Sequence, residues 1–135
     1  MKVFIADGSH LGLSRLLALL NGIKQFTLVG YSADAVSTVV SIRTTKPDVV
    51  ILDLDIHGGG IQVIKTIKQE FPAIILIILT NASGEQYRNR CKELGAEFFL
   101  DKSSEFQKIP QIIAQLDEYL SAPKKLTPQK LSTNT

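Results

Sequence analysis

At 135 residues the chain has the length of one domain, and a chain of this size buries roughly two thirds of its unfolded surface around a single core. A composition of 44% hydrophobic and 21% charged residues, with 9 Gly and 5 Pro, excludes a disordered or fibrous chain. Of the 15 basic residues, Lys124, Lys125 and Lys130 lie near the carboxyl end; without those three, 12 basic residues face 13 acidic ones, which argues against direct nucleic-acid binding by the folded part.

Residues 3–6 form the first continuous apolar run, the pattern of a parallel strand covered on both faces. Leu13, Leu16, Leu17 and Leu20 then give a helical stripe, and residues 27–31 a weaker strand. A second helix follows with Ala35, Val36, Val39 and Val40, and Pro47 blocks its continuation. The run at 49–52 is the third strand, Ile64, Ile67 and Phe71 mark the third helix, and the run at 74–79 is the fourth strand. Tyr87, Cys91 and Leu94 place a fourth helix that closes at Gly95, a helix C′ position. The last strand covers residues 98–100, and Ile109, Ile112, Ile113, Leu116 and Leu120 form the fifth helical stripe.

Five β/α alternations with short connections predict an α/β fold, a doubly wound five-stranded parallel sheet between two helical layers. The domain is expected over residues 1–121, and the polar, proline-bearing stretch 122–135 reads as a flexible tail or linker. Cys91 is the only cysteine, which fits a reducing, cytoplasmic compartment and leaves no cysteine cluster for zinc. No apolar run approaches the roughly 18 residues needed to cross a bilayer, so no membrane partner is expected. His10 and His57 are read as loop residues without metal-site spacing.

Ligands of doubly wound sheets bind beyond the carboxyl ends of the strands. Asp7 follows the first strand, Asp53 the third, Thr80 the fourth, and Lys102 comes just after the fifth. Singly each has an ordinary reading: an Asp after a strand caps a helix, and a Lys is a solvated charge. Together they place two carboxylates, a hydroxyl and an ammonium on one edge. That set suits a carboxylate that attacks phosphorus while a cation and a hydroxyl compensate the phosphoryl oxygens.

The quartet, the stretch Pro47-Asp48-Val49-Val50-Ile51-Leu52-Asp53 and the turn Leu94-Gly95-Ala96 before Phe98-Phe99-Leu100-Asp101-Lys102 resemble bacterial response-regulator receiver domains over about residues 2–120. The resemblance implies a flavodoxin-like (βα)5 sheet of order 2-1-3-4-5. It implies that Asp53 is the phosphoacceptor for a sensor histidine kinase or phosphotransfer protein, with Thr80 the switch hydroxyl, Phe99 the switch aromatic and Lys102 the phosphate-binding lysine. It also implies Mg2+ held by Asp7, Asp53 and the backbone carbonyl of Asp55. Gly8 stands where the family has a second acid, which weakens that ion site. After Asp53 the loop departs again, with His57 in place of Pro and Gly58-Gly59-Gly60 one residue early, so local mobility is expected there.

Two alternatives accompany this reading. A receiver without the second acid can be a phosphorylation-independent interaction module. Asp53-Leu54-Asp55 also looks like the D-x-D of haloacid-dehalogenase-type phosphatases, although His57 and the motif's late position depart from that family. Leu126-Thr127-Pro128-Gln129 resembles the opening of LuxR-type helix-turn-helix domains, which implies the amino-terminal part of a transcription regulator. A homodimer is among the partners the family implies, and enzymatic activity is limited to slow self-phosphorylation and self-dephosphorylation.

Overall fold

The structure, a computed structural model, describes residues 1–24, 26–81 and 84–122. The stretch 123–135, which contains nearly all of the expected linker and the LuxR-like Leu126-Thr127-Pro128-Gln129, lies outside the described residues. Five strands, β1 Lys2–Ala6, β2 Thr27–Ser32, β3 Val49–Asp53, β4 Ile75–Thr80 and β5 Phe98–Asp101, pair in parallel in the order β2-β1-β3-β4-β5. Helices α1 His10–Leu20, α2 Ala35–Thr45, α3 Gly60–Glu70, α4 Glu85–Glu93 and α5 Ile109–Ser121 connect or follow them, with a 3-10 turn at Phe106–Lys108. His10 is therefore the first residue of α1, while His57 lies in a loop, as expected.

Alternate side chains of each strand feed two cores. One packs Val3, Ile5, Ile51 and Ile77 against Leu16 and Leu20 of α1 and Ile109, Ile112, Ile113 and Leu116 of α5. The other packs Phe4, Val50, Leu52 and Ile78 against Ile42 of α2, Ile64 and Ile67 of α3 and Cys91 of α4. Because β3 and β4 are buried along their whole length, neither shows the alternation of a half-exposed strand. The Cys91 thiol is buried and its pKa is pushed up to about 11 by that burial, so it is a core side chain.

Helix α2 departs from the stripe its valines indicate. Val36 and Val40 are 75% and 55% exposed, whereas Ala35, Thr38 and Ile42 are buried. The cause is polar satisfaction: the Thr38 hydroxyl donates to the Asp34 carbonyl at 2.7 Å and also meets the Ser32 hydroxyl, so a threonine takes an inward position without an unpaired group. Asp34 caps this helix by accepting the Ser37 N–H at 2.8 Å, and Lys46 closes it in the left-handed region with φ 47° before Pro47.

At the amino edge of the sheet a buried ion pair joins three elements. Glu97 accepts the Leu76 N–H at 2.8 Å and the Lys68 ammonium at 2.7 Å, while Lys68 also donates to the Ile74 carbonyl at 2.6 Å. Gly95, at φ 104°, closes α4 with the paired bonds Ala96 N–H to Cys91 carbonyl and Gly95 N–H to Lys92 carbonyl, which aim the chain into β5. Glu97→Ala should cost about 1–3 kcal/mol in chemical denaturation, because it strands a buried N–H and an ammonium. Burial holds the Glu97 pKa above its ordinary value, against the pull of Lys68. A raised acid contributes stability that is present below the unfolded pKa and is lost as pH rises through the folded one. Glu97→Gln should therefore gain stability relative to wild type as pH rises from about 4.3 toward neutrality. A pH-independent difference between the two would contradict this.

Candidate functional site

The carboxyl edge of the sheet gathers the predicted quartet. Asp53 is the last residue of β3 and is 7% exposed; its Oδ1 accepts the Asp55 N–H at 3.0 Å, which fixes the carboxylate, and its Oδ2 faces the Lys102 ammonium at 3.3 Å. Thr80, fully buried, ends β4 beside it, and its hydroxyl donates to Asp55 Oδ2 at 3.4 Å. Asp7 follows β1, which pairs directly with β3, and its N–H extends the β1–β2 ladder onto the Ser32 carbonyl at 3.0 Å. Its Oδ2 lies 3.1 Å from the same ammonium.

Lys102 is placed by the β4–β5 pairing and by the turn that follows it. Its N–H donates to the Thr80 carbonyl at 2.9 Å, which continues the β4–β5 pairing by one residue. Asp101 Oδ1 then accepts the N–H groups of Ser103 and Ser104 at 2.8 and 3.1 Å, an Asx-type turn that bends the chain back over the edge. Glu105 Oε1 accepts the Asp101 N–H at 3.0 Å and lies 3.7 Å from the Arg88 guanidinium. Arg88 in turn donates to the Phe99 carbonyl at 3.2 Å and lies 4.9 Å over the Phe99 ring. Phe99 is thus buried against α4 and held by a cation–π contact. The sequence pattern did not single out Arg88 or Glu105, because exposed-looking helix and loop charges carry no periodic signal.

Burial raises the Asp53 pKa, and the Asp7 charge acts in the same direction; the Asp55 N–H and Lys102 oppose them without reversing the shift. Burial works against the Lys102 charge as well, but its hydrogen bonds and ion pairs with Asp7 and Asp53 outweigh that and hold its pKa above the usual lysine value. One ammonium therefore serves two buried carboxylates.

The loop from Leu54 to α3 is tied where the glycine run led us to expect mobility. His57 pairs in parallel with Asp34, and its carbonyl accepts the Ala35 N–H at 2.8 Å. Gly58 and Gly59 take φ of 94° and 95°, and the Gly59 N–H donates to the Ile56 carbonyl at 3.0 Å. The glycines are needed for these left-handed turns.

Receiver domains generally bind Mg2+ in their acidic pocket. The residues here do not fit such an ion as they are placed. Among the described residues no group of three or more His, Cys, Asp or Glu is arranged to hold a metal. Gly8 supplies no carboxylate, and three of the four oxygens of Asp7 and Asp53 face Lys102 or the Asp55 N–H, while the fourth, Asp7 Oδ1, takes the Ser9 N–H at 2.9 Å. The Asp55 side chain, expected to contribute only its carbonyl, is turned toward Thr80.

Comparison with known proteins agrees with this geometry. The model of the response regulator receiver domain matches residues 3–114. The transcriptional regulatory protein YhcZ of Bacillus subtilis is 33% identical over 113 residues, covering 81% of this chain and 51% of that protein. The DNA-binding transcriptional activator EvgA of Escherichia coli is 31% identical over 112 residues, 81% of this chain and 53% of its own length. The chain spans about half the length of these two relatives. Among solved structures, the non-phosphorylated receiver domain of the stress response regulator RcsB from Escherichia coli superposes with a TM-score of 0.80 at 27% identity, covering 87% of this chain and 93% of that one. The D-x-D phosphatase reading gives way to this match, and the receiver family is not one of classical enzymes. No helix among the described residues is long and apolar enough to cross a membrane. With its sheet order, its carboxyl-edge quartet and a family match over most of its length, the chain belongs to the response-regulator receiver family of two-component signal transduction.

Proposed function

We propose that Asp53 is the phosphoacceptor of this receiver, taking its phosphoryl group from a sensor histidine kinase or a phosphotransfer protein. The observation that carries the reading is the Lys102 ammonium 3.3 Å from Asp53 Oδ2, at the end of a wholly buried strand. A carboxylate oxygen of Asp53 attacks the phosphorus of a phosphoimidazole, the P–N bond breaks, and the imidazole leaves with the electron pair and takes a proton. Lys102 then compensates charge on the phosphoryl oxygens, and the Thr80 hydroxyl, leaving Asp55, hydrogen-bonds to one of them. Burial raises the Asp53 pKa, which makes its carboxylate a stronger base, and so a better nucleophile, than an exposed aspartate.

Phe99 is the aromatic that repacks when Thr80 moves, and Arg88 over its ring is the group it must leave or carry along. Water attack on the acyl phosphate supplies slow self-dephosphorylation, and a small acyl-phosphate donor supplies slow self-phosphorylation. The names of the relatives, transcriptional regulatory proteins and a DNA-binding transcriptional activator, support a role in transcription regulation. The reading extends this to a cytoplasmic location, a homodimer among its assemblies and DNA contacts made outside this domain. A second reading, a phosphorylation-independent interaction module, is favoured by one feature, the pairing of both carboxylates with Lys102 where the family holds an ion.

Asp53→Asn should abolish phosphate incorporation from an acyl-phosphate donor with no loss of fold, measured by intact mass; labelling of that variant would place the acceptor elsewhere. Thr80→Ala should still be labelled. Its phosphorylated form should show a smaller change around Phe99, followed by amide shifts, and a full wild-type change would remove Thr80 from the switch.

A further inference from the structure

The carboxylate of Asp7 occupies the space that a side chain at Gly12 would need. Gly12 is buried in the first turn of α1, and a Cβ there would stand 2.5 Å from Asp7 Oδ2, 2.8 Å from Oδ1 and 2.9 Å from Cγ. Contacts that short do not occur, so any larger residue at 12 must move Asp7 or the helix. The carboxylate is held by the Ser9 N–H on Oδ1, while the buried Oδ2 meets no partner other than the Lys102 ammonium among the described residues. The charge on Oδ2 is met by the Lys102 ammonium at 3.1 Å, the same ammonium that pairs Asp53. A buried carboxylate oxygen compensated by one ammonium depends on that cation.

We propose that Gly12 is a positioning residue that lets Asp7 withdraw beneath α1, so that Lys102 serves as the resident cation of the Asp7–Asp53 pair in place of a divalent metal ion. An entering magnesium ion must then displace Lys102 from both carboxylates and draw Asp7 off Gly12, with no acid at Gly8 to help. A small, strongly hydrated ion that demands near-octahedral oxygens does not compete well under those terms. Position 8 is the less clean place to intervene, because a Cβ there already lies 3.3 Å from the Ala33 carbonyl.

The inference concerns the same pocket as the phosphoacceptor reading but not phosphoryl transfer. It is tested with magnesium chloride alone and no phosphoryl donor, so either can fail without the other. The thermal midpoints of wild type, Gly12→Ala and Lys102→Met are compared with and without about 10 mM MgCl2, against sodium chloride of equal ionic strength. Reading the ion-specific shift within each variant cancels any loss of stability caused by the substitution itself. Wild type should show no shift beyond the sodium control. Gly12→Ala, whose Cβ takes the space of the Asp7 carboxylate, and Lys102→Met, whose carboxylates lack their ammonium, should each rise by about 3 °C or more. Calorimetric magnesium affinity should tighten at least about tenfold in both. Should Gly12→Ala not fold, Lys102→Met decides alone. A wild-type response equal to either variant's, or no response in Lys102→Met, overturns the proposal, and an unresponsive but folded Gly12→Ala removes Gly12 from it.

Discussion

Two carboxylates share the carboxyl edge of this sheet because β1 and β3 are neighbours, and their like charges call for a cation between them. Lys102 provides it, at 3.1 Å from Asp7 and 3.3 Å from Asp53. The rest of the site follows from that constraint. Lys102 lies one strand beyond β4, so its side chain reaches across the end of β4 to meet β3 and β1. The Asp101 turn fixes the chain just after it, and Glu105 and Arg88 fasten that turn to the Phe99 carbonyl. Lys102 and Phe99 are thus joined through Asp101, Glu105 and Arg88.

The scaffold makes such an arrangement affordable by keeping everything beneath it dry. Both faces of β3 and β4 are covered, which desolvates Asp53 from below while leaving its carboxylate at the rim. The same burial that raises the Asp53 pKa strengthens each ion pair it makes, since charges interact more strongly away from water. At the opposite edge the Lys68–Glu97 pair anchors the starts of β4 and β5, so the far ends that carry Thr80 and Lys102 project from fixed bases.

Much of this was legible in the chain because its strongest signals are strand signals. Apolar runs ending in Asp7, Asp53 and Thr80 announce both the strands and the site, since a strand buried on two faces delivers its first polar residue to the edge. The inward face of α2 was half legible: Ala35 and Val39 of the expected stripe pack inward, but Thr38 joins them in place of Val36 and Val40 because Asp34 and Ser32 satisfy its hydroxyl, a contact that no periodicity encodes. The glycine run after Asp53 signals conformational freedom, yet the bridge between His57 and Asp34 converts it into fixed turns. Gly12 left only a faint trace, a glycine inside a helix where Ala would be more stable, which is the kind of cost a close approach explains. Its neighbour in space, Asp7, is five positions earlier and in another element, so the contact depends on tertiary packing.

The site depends on Lys102 holding Asp53, and a double-mutant cycle on stability tests that most directly. Wild type, Asp53→Asn, Lys102→Met and the double variant are unfolded by denaturant at neutral pH without divalent ions, and the coupling energy is taken from the four midpoints and slopes. A half-buried ion pair that compensates a second carboxylate should give a favourable coupling of about 1–3 kcal/mol. A coupling within about 0.3 kcal/mol of zero, the scatter of independent sites, would mean that the ammonium and the Asp53 carboxylate do not depend on each other.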